Sequence, residues 1–159
     1  MDKESSMSEG EARPKAVFST NVKLPPGVHG FEAEGSAGKP AEAPDPIHRV
    51  IYMDDRVVPG SFYVEAVWVT GSVPTVHPVH RHDHDEILGF VGSDMADPSE
   101  LGAEIDLIVD GVKTTITKTC FVHVPAGVEH GGLCFRKIDR PVFQIAMLRQ
   151  DKFESEPPT

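Results

Sequence analysis

The chain has 159 residues, of which 39% are hydrophobic and 25% charged, with a formal net charge of −10 at pH 7. That length accommodates one domain with a normal core plus extensions. The acidic balance leaves no basic stripe to neutralise phosphates, so a nucleic-acid partner is not expected, and no run approaches the roughly 20 apolar residues of a membrane span.

The first six residues, Met-Asp-Lys-Glu-Ser-Ser, lack the basic-then-apolar order of a signal peptide. Two cysteines, Cys120 and Cys134, do not demand pairing, so a reduced, cytoplasmic setting is the expectation. Residues 1–46 read as an N-terminal extension, polar and disordered over residues 1–13, with a short strand over Ala16 to Val22. A proline- and glycine-rich arm follows from Pro25 to Pro46. It reads equally as a tail of no function and as an arm that crosses to a neighbouring subunit. The compact unit is expected over residues 47–150. Arg49 to Met53 reads as a strand, Asp54-Asp55 and Pro59-Gly60 as turns, and Ser61 to Thr70 as a long strand. Alternation puts Phe62, Val64, Ala66 and Trp68 on one face of that strand and Tyr63, Glu65, Val67 and Val69 on the other. A glutamate among apolar neighbours is either a salt-bridged structural residue or a cavity acid.

Ile87 to Gly92 reads as a buried strand and residues 93–103 as a loop longer than a hairpin connection. Glu104 to Val109 and Val112 to Thr117 form a hairpin about Asp110-Gly111, a strong turn signal. Cys120 to Val124, Leu133 to Phe135 and Pro141 to Leu148 complete the strands, with Arg136 to Arg140 as a charged connection and residues 151–159 as a polar tail. Short strands, frequent turns and no helical period predict an all-β sandwich or barrel without internal repeats.

Between residues 77 and 86 the sequence His-Pro-Val-His-Arg-His-Asp-His-Asp-Glu gathers four of the eight histidines. Alternate residues on a strand share a face, about 6–7 Å apart, so His80 and His82 can lean onto one divalent ion. Glu86 can return on a neighbouring strand if Asp83-His84-Asp85 makes a tight turn. Downstream, Pro125 ends a strand, Gly127 permits a positive φ, and His130 follows. His80, His82, Glu86 and His130 are therefore the candidate metal ligands. Imidazoles plus one carboxylate suit Mn, Fe, Co, Ni, Cu or Zn rather than Ca or Mg. Taken alone, the first stretch also fits a solvated loop.

His80-x-His82-x3-Glu86 resembles the first motif of the cupin superfamily, and Pro125-x-Gly127-x2-His130 resembles the second. The resemblance covers roughly residues 61–148 and implies a double-stranded β-helix, or jelly-roll barrel, of the small single-domain (monocupin) kind. It implies one divalent transition metal per chain inside the barrel, held by three histidines and a glutamate. Two positions depart from the pattern: Cys134 stands where an asparagine is often found, and Thr119 where a glycine is expected. Neither is a ligand, so metal binding survives and only transfer of a particular member's substrate weakens. His84 is an addition: a solvated turn residue first, a second-shell partner or alternative ligand after that. His77 and His123 read as structural, and His29 and His48 have no constellation around them.

Four protein ligands on an octahedral ion leave two open positions, as a catalytic metal needs. Three functions follow: dioxygenase-type chemistry on a small oxygenated organic molecule, a non-oxidative isomerase, lyase or decarboxylase working through an enolate, or a non-catalytic ligand-binding module. Glu65, Tyr63 and His84 are candidates for moving a proton, with Glu129 beside them. Arg81, Lys137 and Arg140 could make a local positive site for an anionic substrate. A homodimer is expected, since the strand over residues 16–22 could pair across subunits.

Overall fold

The computed structural model describes residues 16–26, 46–151, 154, 156 and 157. Eight strands are present among them: β1 (Ile47–Met53), β2 (Tyr63–Val69), β3 (Glu86–Gly92), β4 (Glu100–Val109), β5 (Val112–Lys118), β6 (Cys120–Val124), β7 (His130–Ile138) and β8 (Val142–Leu148). No helix occurs among the described residues, hence none long and apolar enough to cross a membrane. β1-β2-β8-β3-β6 form one antiparallel sheet and β5-β4-β7 a second. The segment before β3 extends the smaller sheet, since Val73 pairs with Phe135 and His80 with His130 of β7. The chain therefore alternates between sheets in the order of a jelly roll. This is the double-stranded β-helix expected from the two histidine motifs.

The period of two sorts side chains between the inside of the barrel and its outside. On β2, Tyr63, Glu65, Val67 and Val69 are buried while Trp68, like Phe62 just before the strand, stays exposed. From β8, Val142, Gln144, Ala146 and Leu148 point inward, and Leu101, Ile105, Leu107, Leu133 and Phe135 meet them from the smaller sheet. Each large aliphatic or aromatic side chain so buried contributes roughly 1.5–3 kcal/mol. Asp110 and Gly111 take positive φ values of 49° and 73° between β4 and β5, as a two-residue hairpin turn of matching twist requires.

Several expectations change. Residues 16–26 form no strand; one backbone bond, from the Tyr52 N–H to the Asn21 carbonyl (2.9 Å), attaches them to β1 of the same chain. Within this chain the expected strand over 16–22 therefore pairs with no other strand. Of the arm expected from Pro25 to Pro46, residues 27–45, His29 among them, lie outside the described residues. The connection after β3 spans only residues 93–99, because β4 begins at Glu100 and absorbs Gly102 (φ 67°) at a break in register. β7 runs from His130 to Ile138 instead of Leu133 to Phe135, so Arg136 to Ile138 belong to a strand and the charged connection shrinks. The tail is more than a polar appendage, since Glu156 bridges to Arg81.

After β1, fully buried Asp54 accepts hydrogen bonds from the Tyr52 hydroxyl (2.8 Å) and from the Arg56 backbone and guanidinium (2.9 and 2.8 Å). Burial pushes its carboxyl up, but Arg56 and Tyr52 outweigh that and hold it below the usual carboxylate value of 3.8. A depressed folded pKa adds stability above the unfolded value, which is lost as pH falls through the folded one. Asp54→Asn should lower urea-unfolding stability by about 2 kcal/mol at pH 7. The gap from the parent chain should close as the pH falls below about 3.8; a gap constant from pH 7 to pH 2 would remove the carboxylate from the account.

Candidate metal centre

His80, His82, Glu86 and His130 each present a donor atom, and all four atoms lie within 4.8 Å of one another. His80 and His130 are cross-strand partners that exchange both backbone hydrogen bonds at 2.8 Å. The His80 ring lies 4.9 Å from that of His82 and 4.6 Å from that of His130, centroid to centroid. The turn at residues 83–85 does not join two neighbours in one sheet. It carries the chain from the smaller sheet to the larger, where Glu86 opens β3. The two motif loops are fastened together: the Gly127 N–H donates to the His82 carbonyl (2.8 Å) and the Ala126 N–H to Asp85 Oδ1 (3.0 Å). Gly127, at φ 78°, supplies the left-handed turn its position implied.

Each of the three rings has Nδ1 against a backbone carbonyl: His80 with Pro78 (2.8 Å), His82 with Glu154 (2.5 Å) and His130 with Val128 (2.9 Å). A carbonyl only accepts, so Nδ1 carries the proton and Nε2 keeps its lone pair. Glu86 Oε2 lies 2.6 Å from His130 Nε2 and 3.8 Å from His82 Nε2. Neither Glu86 Oε2 nor His130 Nε2, both buried, makes a well-directed hydrogen bond. Acceptors converging in a buried space are unfavourable without a positive charge between them. These residues therefore fit a divalent transition ion held by imidazole nitrogens and a carboxylate. Burial pulls the His80 and His82 imidazoles below their ordinary value, favouring the neutral ligand form. At His130 burial acts downward too, but the Glu86 carboxylate outweighs it and raises the ring.

His80, Glu86 and His130 open onto a cavity whose wall also includes Tyr63, His77, Leu88, Leu107, Leu133 and Ala146, while His82 lines a neighbouring groove. The cavity is narrow, with room for about one or two waters. Tyr63 was among the residues expected here. Its hydroxyl donates to Glu65 Oε2 (3.0 Å), and burial, followed by the charge of Glu65, pushes its pKa well above the ordinary value. Glu65 itself is held by Arg49 (2.6 Å) and does not line the cavity; it is the salt-bridged residue of the two alternatives. His84 is not there either. It is exposed in a separate groove with Arg81, Asp83 and Glu156, because the crossing turn points it outward. Glu129 is also absent from the wall.

His77, read from the sequence as structural and outside the motif, stands on the cavity wall. It lines the cavity with its ring 6.0 Å from that of His80, and burial, then His80, push it down to about 4. Its offset of three from His80 breaks the alternation that would have flagged it; the signal was its place before Pro78, where the strand pattern resets. His123 faces Asp85 (3.3 Å) and His48 faces Thr70 (3.1 Å), both outside the cavity. The basic residues do not gather: Arg81 pairs with Glu156, Lys137 with Asp139 and Arg140 with Asp94. Of the two departures from the motif pattern, Thr119 accepts a hydrogen bond from the Gly92 N–H (3.0 Å), and Cys134 is a free thiol on β7.

No family model and no curated protein sequence matches the chain. Among solved structures it is similar to an RmlC-like cupin from Shewanella frigidimarina, at 20% identity over 55% of this chain and 65% of that one, with a TM-score of 0.37. A second is KdgF from a Halomonas species, at 14% identity over 77% and 97%, TM-score 0.42. A third is an oxalate oxidase, at 13% identity over 79% and 62%, TM-score 0.48. The chain spans a little less than two thirds of the first and third of these.

Proposed function

We propose that this chain is a metal-dependent enzyme that transforms a small oxygenated organic molecule, with dioxygenase-type chemistry as the first reading. The observation that carries it is the convergence of the His80, His82, Glu86 and His130 donor atoms, with His80, Glu86 and His130 lining a cavity. A single divalent ion, drawn from Fe, Mn, Ni, Cu or Zn, would be held by those four residues. When bound, such an ion supplies Lewis-acid polarisation of a substrate oxygen and, if redox-active, electron transfer involving dioxygen. Leu88, Leu107, Leu133 and Ala146 limit the water that can share the cavity and strengthen every polar contact made inside it. Tyr63 keeps its proton and donates it in a hydrogen bond to Glu65 Oε2, which fixes the ring at the cavity wall. The narrow space beside the donors favours a small substrate.

His77 favours a second reading. A neutral imidazole on the wall can take a proton from a carbon next to a polarised carbonyl, which supports a non-oxidative isomerase, lyase or decarboxylase. The two routes part on one experiment. Freshly purified protein, shown by elemental analysis to hold about one transition metal per chain, is offered enediols, α-hydroxy ketones and diketones in an oxygen electrode. Dioxygen uptake in step with turnover is the expected result. Full-rate turnover without oxygen, with solvent deuterium entering the product, would replace the first reading with the second.

A further inference from the structure

We propose that Glu154 and Glu156 form a strap that holds His82 in its metal-binding orientation, so that retention of the ion depends on whether the strap is fastened. The proposal rests on the metal-centre reading above and adds to it a part of the chain outside both histidine motifs.

Two of the three imidazoles are anchored locally. His80 and His130 each place Nδ1 against the carbonyl two residues earlier, Pro78 and Val128. Any chain that forms these turns forms these anchors. His82 differs, because its Nδ1 partner is the Glu154 carbonyl, 72 residues away in sequence. That carbonyl also accepts from Gln150 Nε2 (3.2 Å), which steadies it. Two residues on, Glu156 and Arg81 exchange both backbone hydrogen bonds, at 3.0 and 2.9 Å, and Arg81 Nε meets Glu156 Oε2 at 3.1 Å. Arg81 is the neighbour of His82, so the clasp fixes the backbone from which the ligand projects.

The strap is fastened lightly. Glu156 lies outside the eight strands and pairs through an isolated bridge, with its side chain half exposed. Such a contact opens by local fluctuation without unfolding the barrel. When it opens, His82 loses the carbonyl that fixes its tautomer and ring plane, whereas His80 and His130 keep theirs. A ligand whose outer partner is removed typically binds its metal about 10–100-fold more weakly.

The test uses the full-length chain and zinc. Glu156→Pro removes the N–H that donates to the Arg81 carbonyl. Zinc affinity, measured by competition with a chromophoric chelator, should fall about tenfold. Imidazole nitrogen NMR of the zinc-loaded protein should show the His82 Nδ1–H signal exchanging faster while those of His80 and His130 hold. Should Glu156→Pro disturb the fold of the metal-free protein, R81E gives a second handle: it should weaken zinc, and the swap R81E with E156R should restore it. Parent-like zinc affinity in both E156P and R81E, with an unchanged His82 signal, would overturn the strap. A parent chain that binds no zinc would instead overturn the metal centre, and the strap with it.

Discussion

His82→Ala should leave the purified protein nearly devoid of metal. The side chain is almost fully buried, its Nδ1 is committed to a carbonyl, and its Nε2 lies 3.8 Å from the Glu86 carboxylate. Alanine deletes one of four donors, and the three that remain hold a transition ion less well. Losing only an outer partner weakens metal binding about 10–100-fold, so losing the ligand itself should exceed about 100-fold. The barrel should persist, since His82 lies outside its apolar cluster. Elemental analysis and far-ultraviolet circular dichroism check both halves. Full metal occupancy in His82→Ala would dismiss the ligand assignment, whatever the fold did.

The second large effect is expected from a residue that binds nothing. Gly131 follows His130 with φ 129°, and a Cβ built there would lie 2.3 Å from the Pro78 carbonyl oxygen. That oxygen is the acceptor that orients His80. Gly131→Ala must therefore strain the backbone, push away the segment bearing His77 and His80, or both, at a cost of about 3 kcal/mol in stability. Metal content should fall along with it. Gly111→Ala is the natural comparison, because its φ of 73° is also unfavourable but its Cβ would meet nothing within 4 Å; it should cost about 1 kcal/mol and leave metal content unchanged. Equal losses in the two variants would show that the close approach to Pro78 does not matter.

Much of this molecule could be read before it was seen. Asp110-Gly111 gave away the β4–β5 hairpin because only a few residue types accept two successive positive φ values. Cys120–Val124 matched to the residue, and the paired motifs brought the four donors together as their spacing implied. What failed did so for physical reasons. β7 was underestimated at both ends because Gly131 and Gly132 open it and Arg136 and Lys137 close it, none of them a strand former. Arg136 is tolerated there because Glu104 on the neighbouring strand meets it at 2.6 Å, a pairing that no local window contains. β4 starts early for a similar reason: Gly102 permits a register break that alternation cannot anticipate. The place of His77 on the cavity wall and the contact of Glu154 with His82 come from long-range packing that no local window contains, while His84 drew attention through its place among histidines and faces the outer groove.

One feature of the architecture bears on more than chemistry. Glu86 belongs to the five-stranded sheet, whereas His130 belongs to the three-stranded one. An ion clasping both would rivet the two halves of the sandwich at one rim, and its binding free energy would add to the work of prising them apart. At a free concentration about 100 times its dissociation constant, that addition is about 2.7 kcal/mol. Metal starvation would then do more than empty the site, since the two sheets would part more readily at that rim and admit a protease. How long the protein survives would follow how well it is supplied.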